Sequence, residues 1–300
     1  MNHDFILVAS HKFYLAEQIA DRLGKELVIP QITVFADGEK DIIFADTSCF
    51  TNKKVVIVHP TCPPVAEEII VLSLMAGAIH YAGSKELVAL ISYLGYARHN
   101  KITMEGIPPA AQTIIRLLEA IKIDRFMCVG LHDEQEKAFF TKPVQSVDLI
   151  SSLAEYIQKQ VSGDYCIVAP DHGAHERARA VAALVGRPVI YYTKKRIAAD
   201  ATVLEGAADF SLHEKAIIID DIIDTGGTAL QVAGDLTMRG FKEIYGCFIH
   251  GIFSKKENIP LIADIFKKIF VSNSVPLSFQ HNKIEIFDIS QALLPFIESE

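Results

Sequence analysis

Two tandem doubly wound α/β domains are what this sequence predicts, on three observations. Short apolar, β-branched runs alternate with amphipathic helical patterns from Phe5 to Ile297, as in mainly parallel sheets covered on both faces. No low-complexity linker breaks the alternation, and 300 residues suffice for two domains of common size. The polar, glycine-bearing stretches fall where strands end, the edge at which open α/β sheets bind ligands. The expected domains are 1–145 and 146–300, with the last strand and helix able to pack back on the first domain.

Composition narrows the classes of partner. Half the residues are hydrophobic, so a full core is available; the net charge is −8. That balance argues against a nucleic-acid surface, so anions must be bound by local cations. The five cysteines, Cys49, Cys62, Cys128, Cys166 and Cys247, have no CxxC spacing, which suggests neither a zinc site nor a disulfide framework. No apolar stretch is long and charge-free enough to span a bilayer, and Met1–Ser10 lacks a signal-peptide pattern. The expectation is a cytoplasmic protein.

In the first half, Phe5–Ala9 reads as a buried strand, followed by Ser10, His11 and a helix to about Leu23. Strands at Glu26–Pro30 and Ile32–Phe35 lead to Phe35-Ala36-Asp37-Gly38-Glu39, where Gly38 beside acids signals a hairpin turn. Lys54–His59 is a buried strand ended by Pro60-Thr61-Cys62-Pro63-Pro64, and a long helix runs from about Val65 to Tyr81. Strand Glu86–Ile91 ends in an aromatic and basic stretch, Ser92 to Lys101. Aromatic faces suit a purine base and Arg98 suits a polyphosphate, although a solvated basic turn reads the same way. A helix over Ala110–Ile121 and a strand over Arg125–Val129 follow, the strand ending at Gly130-Leu131-His132-Asp133-Glu134. His132 there is either a ligand or an ordinary structural histidine.

In the second half, a loop and helix over Val147–Val161 lead to strand Tyr165–Ala169, then Pro170-Asp171-His172-Gly173-Ala174 and a helix over His175–Val185. Asp171 suits a metal carboxylate and equally a helix cap. Strand Pro188–Tyr192 ends in Thr193-Lys194-Lys195-Arg196, three cations that are either a solvated face or part of a loop closing on phosphates. Ala216–Asp220 is a buried parallel strand. It is followed by an acidic turn, Asp220, Asp221 and Asp224, then Thr225-Gly226-Gly227-Thr228 and a helix from Ala229. Glycines bring bare N–H groups onto a phosphate, the helix N-terminus adds positive partial charge, and carboxylates accept from sugar hydroxyls or hold a metal. Strand Glu243–His250, Gly251–Ser254, a helix near Asn258–Lys268, strand Lys268–Val271, and a strand and helix over Ile284–Ile297 close the chain.

The Asp220–Thr228 loop resembles the sugar-phosphate loop of the phosphoribosyltransferase superfamily. Eight further motifs occur in order: Phe35–Glu39, Thr61–Pro64, Gly95–Arg98, Leu131-His132, Ala169–Ala174, Lys194–Arg196, His250–Ser254 and Ser272–Pro276. Together they make the chain similar, nearly end to end, to the ribose-phosphate pyrophosphokinase family, and its PD-x-GA form and short length bring it closer to the archaeal-type branch. The resemblance implies two phosphoribosyltransferase-like domains, the first on the ATP side and the second on the ribose 5-phosphate side. It implies transfer of the diphosphoryl group of Mg-ATP to the C1 hydroxyl of ribose 5-phosphate, with AMP leaving.

Residue by residue, the resemblance assigns Phe35, Asp37 and Glu39 to the adenine, and Arg98 with neighbouring His99 to the ATP phosphates. It assigns His132 and Asp171 to Mg²⁺, and Lys194 and Arg196, on a mobile loop, to the transferred group. Asp220, Asp221, Asp224, Thr225, Gly226, Gly227 and Thr228 fall to ribose 5-phosphate. It further implies homo-oligomers built from dimers, the ATP site being completed by a neighbouring subunit; charge and hydropathy point to no nucleic acid and no membrane as partner. The chain departs from the family at Gly130, where an acid is usual, at His99-Asn100-Lys101, where Gln-Asp and a basic residue are usual, and at Ile107–Ala110. These departures bear on the ATP half. They leave room for a catalytically weak regulatory partner subunit, and the shared loop alone leaves room for a phosphoribosyltransferase.

Overall fold

The computed structural model describes residues 5–102, 104–198, 201–207 and 213–298, with the backbone alone for 194–198 and 201–207. The chain divides into two compact units. One comprises Met1–Asp148, Ser274–Pro276 and Asp288–Glu300; the other comprises Leu149–Asn273 and Leu277–Phe287.

The first unit is built from β1 (Phe5–Ala9), α1 (Tyr14–Leu23), β2 (Leu27–Val28), β3 (Gln31–Val34), β4 (Lys40–Ile43), β5 (Lys54–Pro60), α2 (Val65–Tyr81), β6 (Glu86–Tyr93), α3 (Ala110–Ala120), β7 (Arg125–Val129) and β8 (Val144–Val147). Its six-stranded sheet runs β2-β1-β5-β6-β7-β8, every pair parallel. β5 and β6 are buried almost throughout, which is why they read as unbroken apolar runs. Buried Leu72, Met75, Ala76 and Ile79 put one face of α2 on the core that includes Val55, Ile57 and Ala89. β3 and β4 form a separate antiparallel hairpin.

The second unit contains α4 (Ile150–Gln160), β9 (Cys166–Ala169), α5 (His175–Val185), β10 (Val189–Ala198), β11 (Ala201–Ala207), β12 (Lys215–Ile223), α6 (Gly227–Met238), β13 (Glu243–Gly251), α7 (Ile259–Ile265), β14 (Lys268–Ser272) and β15 (Ile284–Phe287). The sheet order is β11-β10-β9-β12-β13-β14-β15, parallel except for the β10–β11 pair. The order reverses between β9 and β12, and that switch point is where a doubly wound sheet opens a ligand crevice. The final helix, α8 (Ser290–Glu298), belongs to the first unit and lies on α1. There Arg22 donates to Ser290 Oγ at 2.7 Å and to Asp288 Oδ2 at 2.8 Å. Among the described residues no helix is long and apolar enough to cross a membrane.

Three local expectations are corrected. Lys194 and Arg196 do not follow the end of a strand on a loop: β10 runs on to Ala198 because β11 supplies an antiparallel partner, pairing Lys194 with Leu204 and Arg196 with Thr202. Their side chains lie outside the described residues. Asp220 and Asp221 are not in a turn; β12 continues to Ile223, since β13 pairs with it as far as Gly251. The strands β4 and β8, absent from the sequence reading, are short and only partly buried, so they carry little apolar signal.

Candidate active site

In the second unit the expected sugar-phosphate residues gather at the β9–β12 switch point. Asp171 follows β9 and caps the turn before α5, its Oδ1 accepting from the Ala174 N–H at 3.3 Å. The capping and ligand readings of Asp171 are therefore compatible, since one oxygen suffices for the cap. Asp220 and Asp221 lie among the last residues of β12, which ends at Ile223, with Asp221 buried and Asp220 mostly so. Burial raises Asp220 well above the ordinary carboxylate range, and the neighbouring charges of Asp221 and Asp171 push the same way. Arg177 opposes this, with Nη1 at 3.4 Å from Asp220 and 3.8 Å from Asp221. Sequence reading missed Arg177: it sits 43 residues from Asp220, and nothing local marks it.

The loop after β12 is braced from the C-terminal side of the sheet. Asp224 Oδ1 accepts from the Ser254 N–H at 3.1 Å, and Asn258 Nδ2 donates to the Thr225 carbonyl at 2.8 Å. Gly226 is the N-cap of α6, in the left-handed region at φ 78°, and has no side chain to cap it; the Thr225 hydroxyl accepts from the Gly227 N–H at a long 3.5 Å. The helix starts at Gly227 and carries Thr228 in its first turn, directly after Thr225; N–H groups at such a terminus point out of the helix.

In the first unit the expected ATP residues fall in three places. Phe35 to Glu39 form the tip of the β3–β4 hairpin, closed by the Phe35 N–H to the Glu39 carbonyl at 2.8 Å. The hairpin turn that the sequence suggested is therefore present, and it leaves Phe35 half exposed. Asp37 and Glu39 line a cavity of about 460 Å³ whose other wall is Ile70 and Leu74 of α2. Arg98 and His99, both exposed, follow β6. The glycine of that motif is set by packing: a Cβ on Gly95 would lie 2.4 Å from Val65 Cγ1 and 2.6 Å from the Thr61 carbonyl. His132, half-buried, follows β7.

His132 and Asp171 lie in different units, and among the described residues no three His, Cys, Asp or Glu side chains converge as a metal cluster. Mg²⁺ takes one or two protein ligands and keeps water and substrate phosphates for the rest, so a single carboxylate such as that of Asp171 is enough on the protein side.

The altered residues of the ATP half are tied to the segment after β7. Asn100 Nδ2 donates to Glu136 Oε1 at 3.2 Å, and Lys101 Nζ lies 3.1 Å from Asp133. Glu136 is fully buried, and its Oε2 accepts no hydrogen bond among the described residues. Burial pushes its carboxyl up to about 7, against the pull of His132 and Asn100. Below the unfolded carboxylate value this costs nothing; the penalty grows as pH rises and is complete above about 7. Glu136→Gln should therefore gain stability relative to the wild type by roughly 2–3 kcal/mol between pH 5 and pH 8. Urea unfolding at both pH values measures it, and equal stability differences at the two would contradict it.

Residues 5–121 match the model of the N-terminal domain of ribose phosphate pyrophosphokinase, and residues 204–298 match the phosphoribosyl synthetase-associated domain. The ribose-phosphate pyrophosphokinase of Mycoplasmopsis pulmonis is 32% identical over 95% of this chain and 89% of its own length. That of Bacillus subtilis is 32% identical over 91% and 85%. In fold, the chain is similar to the crystal structure of phosphoribosylpyrophosphate synthetase from Mycobacterium smegmatis, with TM-score 0.89, 24% identity, and coverage of 99% of this chain and 100% of that one.

Proposed function

We infer the working of the site from one premise: this chain belongs to the ribose-phosphate pyrophosphokinase family. It transfers the diphosphoryl group of ATP to the C1 hydroxyl of ribose 5-phosphate, giving 5-phosphoribosyl 1-pyrophosphate and AMP. The observation that carries this for the chain's own residues is the glycine-led α6 terminus following the Asp220–Asp221–Arg177 cluster at the switch point.

Ribose 5-phosphate binds with its phosphate on the N–H groups of Gly226 to Thr228 and on the Thr225 and Thr228 hydroxyls, and its 2- and 3-hydroxyls donate to Asp220 and Asp221. Arg177, facing both carboxylates, offsets part of the burial and like-charge repulsion that raise Asp220. Asp224 holds the loop in shape through Ser254. Phe35, Asp37 and Glu39 hold the adenine, and Arg98 and His99 contact the ATP phosphates. The C1 oxygen attacks the β-phosphorus and the α–β bridging oxygen leaves with AMP. Lys194 and Arg196 stabilise the charge on the transferred group. Such transfers ask chiefly for positioning and charge neutralisation. Mg²⁺ held by His132 and Asp171 would neutralise further phosphate charge.

The protein acts as a homo-oligomer built from dimers. Half-exposed Phe35, Ile70 and Leu74, on the hairpin and α2, favour this, since they offer apolar area to a second copy. A purely monomeric mass at assay concentration would exclude it. Five free cysteines and no membrane-spanning helix among the described residues favour a cytoplasmic setting. The Pro170-Asp171-x-Gly173-Ala174 form favours the archaeal-type branch; a phylogeny grouping the chain within the bacterial enzymes would reverse that placement.

The direct test mixes protein, ATP, Mg²⁺ and ribose 5-phosphate. Equal amounts of AMP and 5-phosphoribosyl 1-pyrophosphate, formed only with the sugar, are expected. Ribose 5-phosphate bound in calorimetry without AMP formation would instead assign the chain the role of a regulatory partner subunit.

A further inference from the structure

We propose that Glu136 is a positioning residue for the donor nucleotide, acting through Asn100 on the loop that carries Arg98 and His99. The proposal rests on the assignment of Arg98 and His99 to the ATP phosphates.

The loop after β6 is fixed at three points. Tyr96 is left-handed at φ 65° and its carbonyl accepts from the His99 N–H at 2.8 Å, closing a tight turn around Arg98. The His99 carbonyl accepts from the Ala111 N–H at 3.1 Å, tying the turn to α3. Beyond that, Asn100 and Lys101 reach across to the segment after β7, the strand next to β6. Lys101 is two-thirds exposed, so its pair with Asp133 holds the loop weakly. The Asn100–Glu136 bond is shielded by the fully buried Glu136, and a hydrogen bond to a carboxyl in that setting is the stronger of the two.

The choice of residue points to use, not packing. A buried carboxyl with one oxygen unfilled is costly, and an apolar side chain of similar size would stabilise the unit more. Only an acceptor at 136 fixes the Asn100 amide, and with it the direction in which Arg98 and His99 leave the turn. The same pocket dictates the amide at 100: an acid there would set two carboxylates against each other.

The test exchanges the polarity of the pair in the whole protein, assayed for AMP formation at pH 8. Asn100→Asp should raise KM for ATP about 10-fold or more while KM for ribose 5-phosphate stays within about twofold. Asn100→Asp with Glu136→Gln restores one donor and one acceptor, and KM for ATP should return to within about threefold of the wild type. A merely structural role would lower the melting temperature without separating the two KM values. Should Asn100→Asp not fold, Asn100→Ala removes the donor without adding charge and should raise KM for ATP alone. An unchanged KM for ATP in the single variants, or no recovery in the double one, overturns the proposal. A wild type that forms no AMP fails earlier and overturns the functional reading itself.

Discussion

Lys194→Ala is expected to lower kcat by roughly 10²–10⁴-fold while leaving ribose 5-phosphate affinity nearly unchanged. The backbone explains why. β9 and β10 pair in register up to Ala169 and Tyr191, after which β10 continues alone with β11. Lys194 is three residues past that point, so at about 3.3 Å per residue its backbone stands ~10 Å beyond the sheet edge where β9 ends. Asp171 follows β9 at that same edge, and Asp220 lies across the switch point from it. Positions 194 and 196 share one face of the strand and 195 falls on the other, as strand alternation requires. A cation brought in from an arm acts on charge developing during transfer, not on the sugar already held by α6, so turnover falls and affinity stays. Lys195→Ala is the matched control and should cost far less. Near wild-type turnover in Lys194→Ala would remove it from the transfer step.

Gly226→Ala is expected to weaken ribose 5-phosphate binding by about 10–100-fold and to lower the melting temperature. Two independent effects combine. The residue has φ 78°, a conformation that disfavours any side chain, and its Cβ would lie 2.5 Å from Ile262 Cδ1 and 2.9 Å from Cγ1. Ile262 is fully buried, so relief shifts its side chain or the α6 terminus, and the N–H groups that would meet the phosphate move with the terminus. The neighbouring Gly227 lacks both restraints: its Cβ would meet nothing nearer than Thr225 Oγ1 at 3.7 Å. Gly227→Ala should therefore leave the melting temperature unchanged. Calorimetric titration with ribose 5-phosphate, beside thermal melts of both variants, checks the pair. Equal affinity in Gly226→Ala and wild type would show that the phosphate does not sit on this helix terminus.

Other features of the site had little or no local signal. Arg177 looks like one more cation on an exposed helix until α5 is laid beside β12 and its guanidinium meets Asp220 and Asp221. Glu136 stands in Glu134-Gln135-Glu136-Lys137, a string that reads as a solvated turn. The fold nevertheless buries it completely, while Glu134 and Lys137 remain at the surface. The continuation of β10 depended on β11, a partner whose own apolar pattern is weak and broken by Glu205 and Gly206.

By itself the sequence determined what depends on near neighbours. The β-branched runs of β5, β6 and β12 specify strands because each residue is buried by its own strand's place in a covered sheet. The Thr225–Thr228 turn specifies a glycine-led helix start because glycine geometry and N-terminal N–H groups are properties of a few consecutive residues. Tertiary structure alone decided the switch point that joins Asp171 to Asp220, the cation set against the acid pair, and the buried carboxyl behind Asn100. Each is a charge or hydrogen-bond relation between distant segments, and its strength comes from desolvation, which exists only once the sheets and helices have closed over it.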